Sequence, residues 1–166
     1  MRFIITGVLL CVVFVLSGCT DKKSATERER EKYLAELSAL PPVKKDFTTP
    51  EGAILLLEDA YRHRDIEAAV AAKDFKTEAR LMLQKTGFKD AVDDALVAKT
   101  AEVLELSFRS HTTNSWPNLD GLKSFFPEKK QYTGNVVAVT EACLFPDGGF
   151  SHESLLVAET TNGGEF

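Results

Sequence analysis

Four side chains toward the carboxyl end of this 166-residue chain are of types that do chemistry: Glu141, Cys143, His152 and Ser154. They stand on a predicted hairpin. Residues 136–145 are rich in β-branched types, Pro146-Asp147-Gly148-Gly149 reads as a turn because Asp-Gly suits positive φ, and residues 150–160 read as the returning strand. If Phe145 faces Phe150, Cys143 lies opposite His152 and Glu141 opposite Ser154, and strand alternation puts all four on one face. A histidine can take a thiol proton and a carboxylate can orient the histidine, so Cys143, His152 and Glu141 have the parts for nucleophilic catalysis. The same residues fit the mouth of a pocket or the wet end of a hairpin. They are therefore carried as candidate pocket-lining residues, and no catalytic residue is assigned. Three candidate ligands on adjacent strands lack a zinc spacing, so neither a metal nor a cofactor is expected. A one-residue slip of register would put Glu141 and His152 on opposite faces.

The remaining histidines point elsewhere. His63, in Tyr61-Arg62-His63-Arg64, stands at the predicted end of a helix, where positive charge suits the dipole. His111 opens a predicted polar loop, residues 111–118, that contains Trp116. An exposed Trp116 would suit a binding hot spot; packing beneath the loop is favoured. Lys129-Lys130 reads as a solvated turn. No phosphate loop, dinucleotide fingerprint, serine elbow or internal repeat is present.

The elements that must position these residues are helices first and strands last. Thr49-Pro50-Glu51 is a helix start: a hydroxyl cap, a proline in the first turn and an acid at the positive helix end. Ala53, Ile54, Leu57, Ala60 and Tyr61 follow at helical spacing. Asp65 caps a short helix with Ile66, Ala69 and Val70 on its apolar face. A third helix follows Asp74, with Phe75, Ala79, Met82 and Leu83 on one face and Gly87 as its stop. A fourth begins near Asp90, with Asp93 and Asp94 in its first turn. Its stripe is Val97, Ala101, Leu104 and Phe108, widened by Val92, Leu96 and Val103. Residues 119–126 read as a helical turn before Pro127. From Tyr132 the period becomes 2, and Thr161-Asn162-Gly163-Gly164 announces a further hairpin with only Glu165-Phe166 after it. Either the meander stops there and leaves an open edge, or the last strand is truncated, which is favoured.

The amino terminus has a different character. Arg2 precedes residues 3–16, which are apolar apart from Thr6 and Gly7. That is shorter than the roughly 20 residues of a membrane-spanning helix and has the length of a signal-peptide core. The run ends in Leu16-Ser17-Gly18-Cys19, which resembles the bacterial lipobox. The resemblance implies cleavage between Gly18 and Cys19, and a lipid on the Cys19 sulfur. It also implies a membrane-anchored chain in the periplasm, with Thr20 after the cysteine favouring the outer membrane. The domain expectation is therefore a signal peptide over 1–18, a lipidated tether over 19–45 and one domain over 46–166. Residues 20–32 are almost wholly polar and read as a solvated spacer, ended as a helix by Pro41-Pro42. Cys11 leaves with the signal and Cys19 is acylated, so Cys143 has no internal partner.

Lys plus Arg is 20 and Asp plus Glu is 25, a net charge of -5 that becomes -6 once Arg2 is removed. That balance argues against a nucleic-acid partner. The element order defines an α+β class, with N-terminal helices packed on a C-terminal antiparallel β-meander. Thr49-Pro50-Glu51-Gly52-Ala53, Ala60-Tyr61, Asp65-Ile66-Glu67-Ala68-Ala69 and Asp74 resemble the opening of nuclear-transport-factor-like domains, which are cones of helices closing a curved sheet around a pocket. Isomerases of that superfamily use an aspartate and a tyrosine, and no position here matches them. The resemblance accommodates enzymes and binders alike. The leading expectation is a non-enzymatic binding lipoprotein with a periplasmic protein or small-ligand partner, an immunity-type protein being one candidate. The alternatives are an enzyme using Glu141, Cys143 and His152, and a structural envelope lipoprotein.

Overall fold

A computed structural model describes residues 2–6, 25–86 and 93–160. Its class is α+β. The elements are β1 (Arg2–Thr6), α1 (Ala25–Ser38), α2 (Pro50–His63), α3 (Ile66–Ala71), α4 (Phe75–Lys85), α5 (Asp94–Asn114), β2 (Lys123–Thr133), β3 (Val136–Leu144) and β4 (Phe150–Thr160). Strands β2, β3 and β4 form an antiparallel meander, and β1 adds to the free edge of β4, so the sheet order is β1-β4-β3-β2.

The helix starts follow from local chemistry. The side chains of Thr49, Asp65 and Asp74 accept hydrogen bonds from the backbone N–H groups of Gly52, Ala68 and Thr77, so each satisfies a donor that has no partner within its helix. Asp93 caps α5 in the same way through Ala95. The expected stop at Gly87, the expected start near Asp90 and the stripe residue Val92 lie outside the described residues, as does the turn at 161–164. Helix α5 continues to Asn114, so His111 is helical and its Nδ1 lies 2.8 Å from the Ser107 carbonyl. The predicted loop therefore begins four residues later than expected.

Two apolar clusters hold these elements together. Ala53 and Ile54 of α2 meet Val139, Leu155 and Val157 of the sheet, with Leu57, Phe126 and Val137 against them. Ala79 and Leu83 of α4 meet Val97 of α5, with Ala101 and Leu104 alongside. Leu96 and Val103 do not widen that stripe; both are exposed, because α5 offers only one face to α4. Met82 is likewise on the outside.

Two expectations need correction. Residues 119–126 contain no helix: from Lys123 the chain is strand β2, which runs through Pro127 with a register shift between Phe125 and Glu128. Proline is tolerated there because β2 is the edge strand and the irregularity removes the need for a ladder donor. Lys129 and Lys130 accordingly lie on a strand, and Lys129 pairs with Glu51 at 3.0 Å. The polar stretch before Pro41 is also more than a spacer. Helix α1 packs on the sheet with Leu37 buried, while Tyr33 stacks edge-on against Phe150 and the Arg30 guanidinium donates to the Gly148 carbonyl.

Candidate functional site: a buried carboxyl pair beneath helix 2

Helix α2 presents Ile54, Leu57, Glu58 and Tyr61 at the spacing of one apolar stripe, and Glu58 occupies a core-facing position on it. Glu58 is 6% exposed. Its neighbour one turn on, Arg62, donates from Nη2 to Oε2 at 2.7 Å. The Ser124 hydroxyl of β2 donates to the other oxygen of the same carboxylate.

The β3–β4 hairpin decides what faces Glu58. Gly148 adopts positive φ (81°) and its N–H donates to the Phe145 carbonyl, while the Phe145 N–H donates to the Gly149 carbonyl. The loop is therefore three residues, Pro146 to Gly148, with the glycine in the left-handed position. The sequence expectation used a four-residue loop. The difference moves the register by one: Leu144 pairs with Phe150, Cys143 with Ser151, Ala142 with His152, Glu141 with Glu153 and Thr140 with Ser154.

This register separates the expected set. Glu141 and Cys143 point toward α2, on the face of Val139, Leu155 and Val157. His152 and Ser154 lie on the opposite face and are exposed. There Nε2 of His152 is 2.8 Å from the Tyr33 hydroxyl, and its ring meets Phe150 edge-on at 4.7 Å. The Cys143–His152–Glu141 constellation is thus not assembled. Burial, and then the neighbouring Glu141, push the Cys143 thiol well above its ordinary range. A protonated thiol is a poor nucleophile.

The structure brings together a different group. Glu141, 5% exposed, bonds the Glu58 carboxyl and receives a hydrogen bond from the Cys143 thiol, with the Ser124 hydroxyl beside both carboxyls. Burial first, and the Glu58 carboxylate second, push its pKa up to about 8. Two carboxylates cannot both ionise at this separation from water, so Glu141 keeps its proton and donates it toward Glu58. Ser151 pairs with Cys143 on the same face, and its hydroxyl is buried without a hydrogen-bond partner. Chemically, the cluster holds one proton in a dry place between helix and sheet, neutralised from one side by Arg62.

Glu58, Arg62 and Ser124 were not anticipated. The available signal was a charged residue at a stripe position of α2, four residues before an arginine; Ser124 carried none, because its strand was not recognised. His63 does stand where expected, with Nδ1 2.8 Å from the Asp59 carbonyl in the last turn of α2. Trp116 packs edge-on against Tyr61, at 6.3 Å between ring centroids. An open groove of about 450 Å³ lies between α4 and the β2–β3 turn, lined among others by Asp74, Lys76, Arg80 and Asn135. None of Glu141, Cys143, His152 and Ser154 lines it. Among the described residues, no group of His, Cys, Asp or Glu could hold a metal ion, and no helix is long and apolar enough to cross a membrane. Gly18 and Cys19 lie outside the described residues. No protein-family model, curated protein or solved structure matches the chain.

Proposed function

We propose that this chain is a lipid-anchored envelope protein whose α+β domain binds a partner without catalysing a reaction. The reading is carried by one observation, the tetrad Leu16-Ser17-Gly18-Cys19 at the end of a short apolar run with Arg2 before it. Cleavage before Cys19 leaves 148 residues, 19–166, with a net charge of -6. Several acyl chains at about 0.8 kcal/mol per buried methylene hold such a chain on a membrane where one chain would not. Thr20 favours the outer membrane. Binding is preferred to catalysis because Cys143 has no histidine on its face and its thiol is held protonated. The nuclear-transport-factor-like cone is the finer reading of the fold, supported by helices capped at Thr49, Asp65 and Asp74 ahead of an antiparallel meander. An immunity-type role, with a basic protein partner, suits the acidic domain.

The test is metabolic labelling of cells expressing the full chain with a fatty-acid probe. Label should appear on a species that has lost residues 1–18, and Cys19→Ala should abolish both label and processing. Label that persists on the Cys19→Ala protein would refute the reading.

A further inference from the structure

The outer edge of β4 carries the second conclusion. Strand β1 pairs with it antiparallel over five residues, Arg2 with Thr160 through Thr6 with Leu156. Residues 2–6 belong to the segment that the lipoprotein reading removes. Processing therefore strips a strand from the sheet and takes away the β1 ladder from alternate residues of 156–160, while the Glu159 backbone stays bonded to Asn135 on the other side. We propose that this edge is a docking seat, on which the processed protein takes one extended segment of an envelope protein, apolar at its centre, as an added strand. The inference rests on the lipoprotein reading.

The seat is shaped for a single strand. Helices α2 and α4 both pack against β1, so they overhang the place it occupies. Val157 and Ala158, on opposite faces of β4, are completely buried with β1 in place. Removing β1 leaves an open backbone edge beside two buried apolar residues of β4, a setting that strand addition satisfies. The segment that fills the seat in this chain reads Arg-Phe-Ile-Ile-Thr, three apolar residues in succession. A second copy fits less well. Pairing β4 with β4 about a two-fold axis keeps both sheets facing the same way, and each α2 would then reach over the other copy's strand.

The experiment uses processed protein purified from envelopes of cells expressing the full chain, probed with a synthetic peptide of residues 1–6. Backbone hydrogen exchange is followed at residues 156–160. Without peptide, the amides that do not bond β3 should exchange quickly. With peptide, they should slow by about tenfold or more, while β3 is unchanged. A peptide carrying Ile4→Pro should give no protection. Processed protein whose β4 amides ignore the peptide, or respond equally to the proline peptide, overturns the docking seat. So does a stable dimer in which those amides are already slow. An intact mass that retains residues 1–18 instead overturns the lipoprotein reading beneath it, so the two failures are told apart.

Discussion

Replacing Glu141 with glutamine should stabilise the protein, and increasingly so as pH rises. The Glu141 side chain is 5% exposed and faces Glu58 from α2, which Arg62 pairs from its far side, Ser124 from β2, Cys143 on its own strand and Glu153 across the hairpin. Its pKa rises from 4.5 to about 8 on folding. Below about pH 4.5 both folded and unfolded chains hold the proton, and the group contributes nothing to pH dependence. Between 4.5 and 8 the unfolded chain releases the proton while the folded chain keeps it, so stability falls as pH rises; above 8 the loss levels off. The size follows from linkage: about 3 kcal/mol by pH 7 and about 4 kcal/mol by pH 8. Glutamine keeps the protonated pattern, with an amide to donate toward Glu58 and an oxygen to accept from Cys143, and it has no proton to lose. Urea unfolding of Glu141→Gln and the parent at pH 4.5, 6, 7 and 8 measures this directly. The two should agree within about 1 kcal/mol at pH 4.5 and diverge to about 4 kcal/mol at pH 8, on the order of 10 °C in Tm. Titrating groups away from the cluster cancel in the difference. A difference that stays constant across this range, or shrinks toward high pH, would refute the shared-proton account.

Two further outcomes follow from geometry. Gly52→Ala should destabilise by about 1–3 kcal/mol in the same unfolding assay, because a Cβ there would lie 2.4 Å from the Asp46 carbonyl oxygen and 2.5 Å from that of Lys44, both backbone atoms. Cys143 should resist a thiol reagent at pH 8 until the domain opens, with a labelling rate that rises with urea as unfolding does. Fast labelling of the native protein would contradict its burial and raised thiol pKa.

What could be read from the sequence was local. The caps at Thr49, Asp65 and Asp74 are decided by a side chain and a backbone N–H three residues away, so the residues themselves announce them. The turn at 146–149 was equally plain, but its register was not. Pro-Asp-Gly-Gly offers two glycines for the left-handed position, and the choice of Gly148 moves every later pair by one. That single residue separates Cys143 from His152 and places Cys143 and Glu141 under α2. Strand β2 was hidden because Pro127 reads as a stop, and only its place at the sheet edge makes it acceptable. The carboxyl pair was hidden because it joins residues 83 apart in sequence, Glu58 and Glu141, through a packing of α2 on β3 that no local pattern encodes.

The seating of α1 has a consequence for posture. Arg30, near its amino end, holds Gly148 at the tip of the β3–β4 hairpin, and Tyr33 follows at Phe150 and His152. On the lipoprotein reading only residues 20–24 separate the acylated cysteine from this helix, a span of at most about 18 Å when fully extended. Unseated, the 26 residues of 20–45 could stretch to about 90 Å. The seated helix therefore acts as a short mooring line: the hairpin tip is drawn toward the bilayer, and β4 points away from it. Residues 156–160 then stand about 20–30 Å farther out along the strand. On the same reading, a protein crossing the periplasm would meet that end first.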